Sequence, residues 1–476
     1  MSVIDPRVAR HIIWQGPDVG CVVGLHEEDV AMLFAMFSRS TGTIEETMSK
    51  MFQNRVLEST DTERRVPSEK AVKFHTEKTV GFGHKSVADH AIVHPFVERC
   101  SILAARDFMT ARLIAATEKS TRFVDFSAVG FITPQEIPLS LVDEYENHCA
   151  RCVTGYSDIM SMAVDAIRTA AGERKDPWTE SGWESAIKKR ALDAVRDLLP
   201  ASVKTNFGMT ASATSIREML DKRRTESSIE VSIIADRMNG ACNRACPTLI
   251  PLEPRVVPRE LRRAMFHRGW KEVQPSVVVK PTHDWRMIDR MIGCADELIN
   301  TWTYERAYHM PPDRSSEFVQ YMVQMNVPFS VARDLGRHRM MTSSWGMLGP
   351  DNGFQTDPIM RDKQLAERFP QIGLLSVAHR SLLASTGRRL NSLSRRLSPV
   401  ALQYACPLAT SVPTVWLVSL RELVHIFGLR TTPQGAATYR EIVQKLSAAV
   451  ALADPMVSGI VNSCTNTDKI LIGRPG

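Results

Sequence analysis

Two stretches of this chain alternate apolar and polar positions as half-buried strands do. They are "AIVHPFVERCSI" from residue 91 and "FVQYMVQMNVPF" from residue 318. Each passes into a helix-period segment, "AARDFMTAR" (104–112) and "VARDLGRHR" (331–339), sharing the frame A-R-D-x-x-x-x-R. Ser101 and Asn326 are the expected caps near the two helix starts. A second matched pair follows: "VRDLLPASVKTNFGMTASATSIREMLDKRR" (195–224) parallels "LQYACPLATSVPTVWLVSLRELVHIFGLRT" (402–431). Both read as a loop or short turn, then an amphipathic helix ending in Arg, with Pro200 answering to Pro407 and Arg223 to Arg430. Two matches in the same order predict a tandem duplication.

The expected fold class is α+β, two related modules, each a mainly antiparallel sheet packed with helices such as "REIVQKLSAAVALA". The expected boundaries are 1–246 for the first module, 247–269 for a proline-rich linker and 270–476 for the second. "PTLIPLEPRVVP" suits a linker because proline lacks an N–H and favours extended backbone.

Composition narrows the class. The 476 residues are 43% hydrophobic and 24% charged, enough for a sizeable core. No apolar run approaches the roughly 20 residues that span a bilayer, so no membrane partner is expected. "MSVIDPRVARHIIWQG" lacks the apolar centre of a signal peptide, and a cytoplasmic protein is expected. A net charge of +6, without a basic stripe interleaved with aromatics, does not point to nucleic acid. "GRRLNSLSRRLS" (387–398) reads as a solvated helix face. The nine cysteines include Cys149/Cys152 and Cys242/Cys246, but both pairs fall in helix-like stretches without four clustered ligands. They read as plain thiols, and no metal site is expected. The 22 methionines read as core fillers. No G-x-G-x-x-G sits between a strand and a helix, which argues against a Rossmann domain.

The matched blocks carry a resemblance. "FGHKSVADHAIVHPFVERCSILAARDFMTARLIAATEKSTRF" (82–123) resembles the core of the flavin-dependent thymidylate synthases. Their signature runs R-H-R, two residues, Ser, one residue, Asn-Glu, one residue, Ser, one residue, Arg-Tyr. An upstream Gly-His element of that family matches Gly83, His84, Ser86, Asp89 and His90. Neither copy holds the whole signature. The first has Thr110, Ala111 and Arg112 in the R-H-R place, yet keeps Glu118, Ser120 and Arg122, with Thr117 for Asn and Phe123 for Tyr. The second keeps Arg337, His338 and Arg339 but has Trp345, Met347 and Gly349 for the Glu, Ser and Arg. Downstream, Arg196 matches the family's pre-proline Arg against Gln403 in the second copy. Arg421 matches a helix Arg against Thr214, and His425 and Glu218 stand at an Asn position. Asp107 and Asp334 replace a Gln three residues before R-H-R.

The resemblance implies methylation of a uracil nucleotide, dUMP in the simplest case, at C5. FAD would be the cofactor, with NADPH and methylenetetrahydrofolate as co-substrates. It implies Glu118, Ser120 and Arg122 as catalytic candidates, Ser120 orienting the pyrimidine, since no base is readable beside it. Ser120, Arg122, Arg196, Arg223 and Arg430 would bind the nucleotide, because guanidinium groups grip phosphate through two hydrogen bonds. His84, Ser86, Arg337, His338, Arg339, Arg421 and His425 would hold the flavin. Members are homotetramers with sites shared between subunits, so a duplicated chain is expected as a homodimer, a pseudo-tetramer of modules. The first copy then resembles the nucleotide side and the second the flavin side. Alternatives are a methylase of another pyrimidine, a non-catalytic nucleotide- or flavin-binding relative, and a structural scaffold.

Overall fold

The computed structural model describes residues 4–25, 33–34, 36–54, 76–77, 88–89, 91–174, 177–224, 228–253, 277–292 and 313–461. The chain forms two compact α+β units. The first comprises residues 1–142 and 201–268, the second residues 143–200 and 269–476. Residues 143–200 thus pack with the second copy, although they precede the proline-rich stretch, which is described only as far as Glu253.

The first unit has a five-stranded antiparallel sheet, order β1-β2-β3-β5-β4. Its strands are β1 (Ile12–Trp14), β2 (Val19–Val22), β3 (Ile92–Ser101), β4 (Ala115–Glu118) and β5 (Lys204–Ser212). The second has a four-stranded antiparallel sheet, order β6-β7-β9-β8, from β6 (Val278–Pro281), β7 (Gln320–Pro328), β8 (Thr342–Trp345) and β9 (Ser411–Ser419). Leaving β1 aside, the two sheets have the same order and the same antiparallel pairings. Shared hydrogen bonds follow: Ile102 and Leu103 N–H donate to Val203 and Ala201 O, as Phe329 and Ser330 do to Thr410 and Leu408 O. Lys204 and Ser411 N–H donate to Gly130 and Gly353 O, and both glycines have φ near +70° (75° and 72°), a conformation glycine adopts without steric cost.

Helices follow at matched places. Numbered in chain order, α1 is Ile44–Gln53, α2 Ile102–Met109, α3 Val142–Ala171, α4 Glu180–Val195, α5 Ala213–Arg223 and α6 Ile229–Ala245. Then come α7 (Trp285–Ile292), α8 (Phe329–Leu335), α9 (Pro370–Ser394), α10 (Pro399–Ala405), α11 (Leu420–Arg430) and α12 (Ala437–Ala453) among those that matter here. Ser212 and Ser419 cap α5 and α11, each hydroxyl accepting a first-turn N–H. Ser101 caps α2, accepting from Ala104 N–H. Asn326 caps nothing: it lies inside β7, and the cap of α8 is Pro328, where the chain leaves the strand.

The larger correction concerns the stretches read as loop or turn before α5 and α11. They contain β5 and β9, each flanked by two strands. β5 is "KTNFGMTAS", whose Thr205 and Asn206 are buried, so it shows neither an apolar run nor clean alternation. β9 carries Pro413, which cannot donate to a ladder and reads against an interior strand.

In the first unit one sheet face packs on α2, α5 and α6 through Val97, Phe108, Phe207, Ile216, Leu220 and Met238. The other face lies under α1 and the N-terminal segment, with Phe34, Phe37, Met48, Met51 and Phe52 around Phe96. In the second unit α3 runs antiparallel to α9: Cys152 faces Thr386, and Gly155 approaches so closely that a Cβ would meet Leu382 at 3.2 Å. In α9 and just beyond it, Arg388, Arg395 and Arg396 are exposed, as a solvated face requires. The seven described cysteines are free thiols, and all but Cys246 are buried.

Candidate functional site

The Arg-His-Arg segment of the second unit is a turn that follows α8. Its His338 N–H donates to Leu335 O at 3.0 Å, and the ring is buried. Arg430 Nε–H donates to His338 Nε2 at 2.9 Å, so that nitrogen carries a lone pair and the ring proton sits on Nδ1. Nδ1 faces Glu422 Oε1 at 3.2 Å. Burial, assisted by the charge of Arg430, outweighs Glu422 and holds the imidazole below its usual pKa. Both ring nitrogens are therefore engaged within the fold, and His338 fixes the turn that presents Arg337 and Arg339. Burial, and then the charge of Arg337, lower the Arg339 guanidinium from its ordinary range. Guanidinium groups grip anions such as a diphosphate through paired hydrogen bonds. The donor set at Arg337 and Arg339 has the chemistry that would suit a flavin's phosphates.

Around this turn stand the other candidates. Exposed His425 meets His338 edge to face, ring centroids 5.4 Å apart. Arg421 pairs with Glu317 at 2.9 Å. Arg430 lies over the Tyr439 ring at 5.4 Å. Arg196, at 2% exposure, donates from Nη2 to Asp334 at 3.0 Å; Arg337 lies 3.7 Å from the same carboxylate. Arg196 and Arg430, grouped by sequence with the nucleotide, thus stand beside the Arg-His-Arg turn. Asp334 is the carboxylate that replaces the family's Gln, and the structure shows what it binds: two arginines of its own unit.

In the first unit Glu118 ends β4 opposite Phe207 and is buried. Lys119 follows, buried near Glu98; burial lowers the lysine and raises the carboxyl, while each favours the other's charged form. Ser120 organises the next turn. Its N–H donates to Ser38 O at 2.9 Å, its Oγ accepts from Arg122 N–H at 3.2 Å, and its carbonyl accepts from Phe123 and Val124 N–H. Phe123 is exposed, with the Arg39 guanidinium 5.1 Å from its ring centroid. Arg223 closes α5. Gly83, His84, Ser86 and His90 lie outside the described residues; Asp89 is described and accepts from Ser212 Oγ at 2.9 Å.

The structure thus brings Arg196, Arg337, His338, Arg339, Arg421, His425 and Arg430 into the second unit, and Glu118, Ser120, Arg122 and Arg223 into the first. Sequence reasoning missed Glu422 and Glu317, the acid partners, and Lys119 and Arg39. Glu422 had a signal, lying three residues before His425 on one helix face. Arg39 had none.

Residues 27–248 and 295–456 match the protein family described as thymidylate synthase complementing protein. Among curated relatives, a UPF0159 protein of Chlamydia pneumoniae is 23% identical over 92% of this chain and 90% of its own length. A UPF0159 protein of Thermoplasma acidophilum is 22% identical over 84% of this chain and 90% of its own. A flavin-dependent thymidylate synthase of Thermococcus onnurineus is 30% identical over 36% of this chain and 62% of its own. Among the described residues no helix is long and apolar enough to cross a membrane.

Proposed function

Since the chain belongs to the thymidylate synthase complementing protein family, we propose that it is a flavin-dependent enzyme that methylates a uracil nucleotide at C5, dUMP to dTMP in the simplest case. The observation that carries this reading is complementary retention on a duplicated fold. The copy built on β3-β5-β4 keeps Glu118, Ser120 and Arg122, and the copy built on β7-β9-β8 keeps Arg337, His338 and Arg339. Random decay would not spare opposite halves of one signature at matched places.

In this reading the first unit handles the nucleotide. Ser120, fixed by the turn it organises, orients the pyrimidine. Arg122 steadies the negative charge on the ring oxygens that makes C5 nucleophilic toward the one-carbon unit of methylenetetrahydrofolate, a fixed cation being worth more there than mobile water, and tetrahydrofolate departs when the bond from that carbon to the folate nitrogen breaks. The C5 hydrogen then leaves as a proton. Arg337 and Arg339 hold the cofactor phosphates, with His338 locking the turn between them. FAD held there and reduced by NADPH would supply a hydride for the new methyl group. Arg196 orients the turn through Asp334. The chain works in the cytoplasm as a homodimer, four modules in all.

A yellow purified protein, bleached by NADPH and releasing the C5 hydrogen of dUMP when methylenetetrahydrofolate is present, is the expected result. Arg122→Ala is expected to weaken dUMP binding by roughly 10- to 100-fold while flavin stays bound, and Arg339→Ala to do the reverse. Equilibrium dialysis with each ligand reads both. If Arg122→Ala lost flavin and Arg339→Ala kept it, the assignment of sides would fall. Flavin bound without turnover on any uracil nucleotide would leave a binding protein.

A further inference from the structure

Resting on the reading that the segment after β4 handles a uracil nucleotide, we infer that Arg39 binds that nucleotide's phosphate. The hydrogen bond from Ser120 N–H to Ser38 O, 2.9 Å, docks the 38–40 turn on the segment that carries Glu118, Ser120 and Arg122. The next side chain is Arg39, exposed, its guanidinium over the Phe123 ring at 5.1 Å. Phe123 is itself 45% exposed, so the pair lies at the surface of the unit and not in its core.

A guanidinium laid over a ring is held by the negative face of the ring, while its N–H groups point outward in its own plane. Those in-plane donors are the ones that grip a phosphate through two bonds at once. Among the described residues no carboxylate pairs with Arg39. This distinguishes it from Arg196 and Arg421, whose charges Asp334 and Glu317 already answer. Phe123 has no hydroxyl to offer a ligand, and the Arg39 guanidinium lies over its ring. Arg39 and Arg122 then flank Ser120 on the chain segments that meet there, two cations beside the residue that orients the base. Arg39 lies outside the blocks of sequence that repeat within the chain, and the fold is what places it beside Ser120.

Titration calorimetry on the full chain, with dUMP and with deoxyuridine, separates phosphate from base. Arg39→Gln is expected to weaken dUMP by about tenfold, the worth of one charged hydrogen bond, and to leave deoxyuridine unchanged. Arg39→Lys should recover part of the loss. Phe123→Leu, which removes the ring but no charge, should weaken dUMP by about threefold. Wild-type affinity for dUMP in Arg39→Gln, or an equal loss of dUMP and deoxyuridine, would overturn the inference and leave the nucleotide reading intact. A wild-type protein that binds neither ligand would overturn both.

Discussion

Asp334 changes meaning once its partners are visible. As a carboxylate in a motif that meets phosphates, it looks repulsive in sequence. In the fold it receives Arg196, and both side chains are nearly buried, at 12% and 3% exposure. Removing Asp334 leaves the buried Arg196 charge with Asp193, 3.9 Å away, as its carboxylate partner, which compensates it only in part. Asp334→Ala is therefore expected to cost about 3–5 kcal/mol, read as a lowered urea midpoint with unchanged slope, and Asp334→Asn less, because an amide oxygen still accepts. A second residue sets an acid limit. His148 is buried, with Nε2 bonded to Ala405 O at 2.8 Å, and burial lowers its pKa to about 4. Its unfolded value, near 6.5, is higher, so the unfolded state takes up the proton first. The stabilisation is whole above about pH 6.5 and is lost as pH falls toward 4, roughly 3 kcal/mol in all. In His148→Gln, the fall of melting temperature between these pH values should flatten. His379 has the opposite slope: burial disfavours its charge, but Asp197 at 2.6 Å outweighs that and raises the pKa. Its contribution is present below the ordinary histidine pKa and fades as pH rises through the raised one.

At the scale of elements, the copies differ in what covers the sheet. Gly208 of β5 lies under Phe34, and a Cβ there would fall 2.5 Å from the ring. The matching place in β9 is Val415, which opposes Ser344 as Gly208 opposes Thr117. Gly208→Ala should therefore destabilise the first unit by about 1–3 kcal/mol, by overpacking, as thermal unfolding would show. This also explains how far the elements were legible. β3 and β7 could be read because one face is uniformly apolar, and α5 and α11 because of their period and matched terminal arginines. β5 and β9 could not. Buried polar residues, a glycine made necessary by a distant phenylalanine, and a proline inside a strand erase the pattern that reveals a strand. The cap at Ser101 was legible from chemistry alone. Asn326 was misplaced because the strand runs two residues further than its cap-like side chain suggests.

Across the whole molecule, duplication was the feature most visible in sequence, since it needs only the same residues in the same order. Arg106 and Arg333, Pro200 and Pro407, and Arg223 and Arg430 marked it, and two sheets of one strand order embody it. The packing of residues 143–200 with the second copy was not legible, because an amphipathic helix declares that it has a partner and not which one. The match between copies is also not one constant shift. β7 pairs with β9 without interruption, whereas β3 slips against β5 between Val97 and Cys100, where Arg99 adopts φ 57° as the extra residue of a bulge. For module exchange, Arg99 is a phase mark. A chimera that joins one copy to the other must place its crossover on the same side of this residue in both. Otherwise every side chain between the junction and the bulge turns to the opposite face of its sheet.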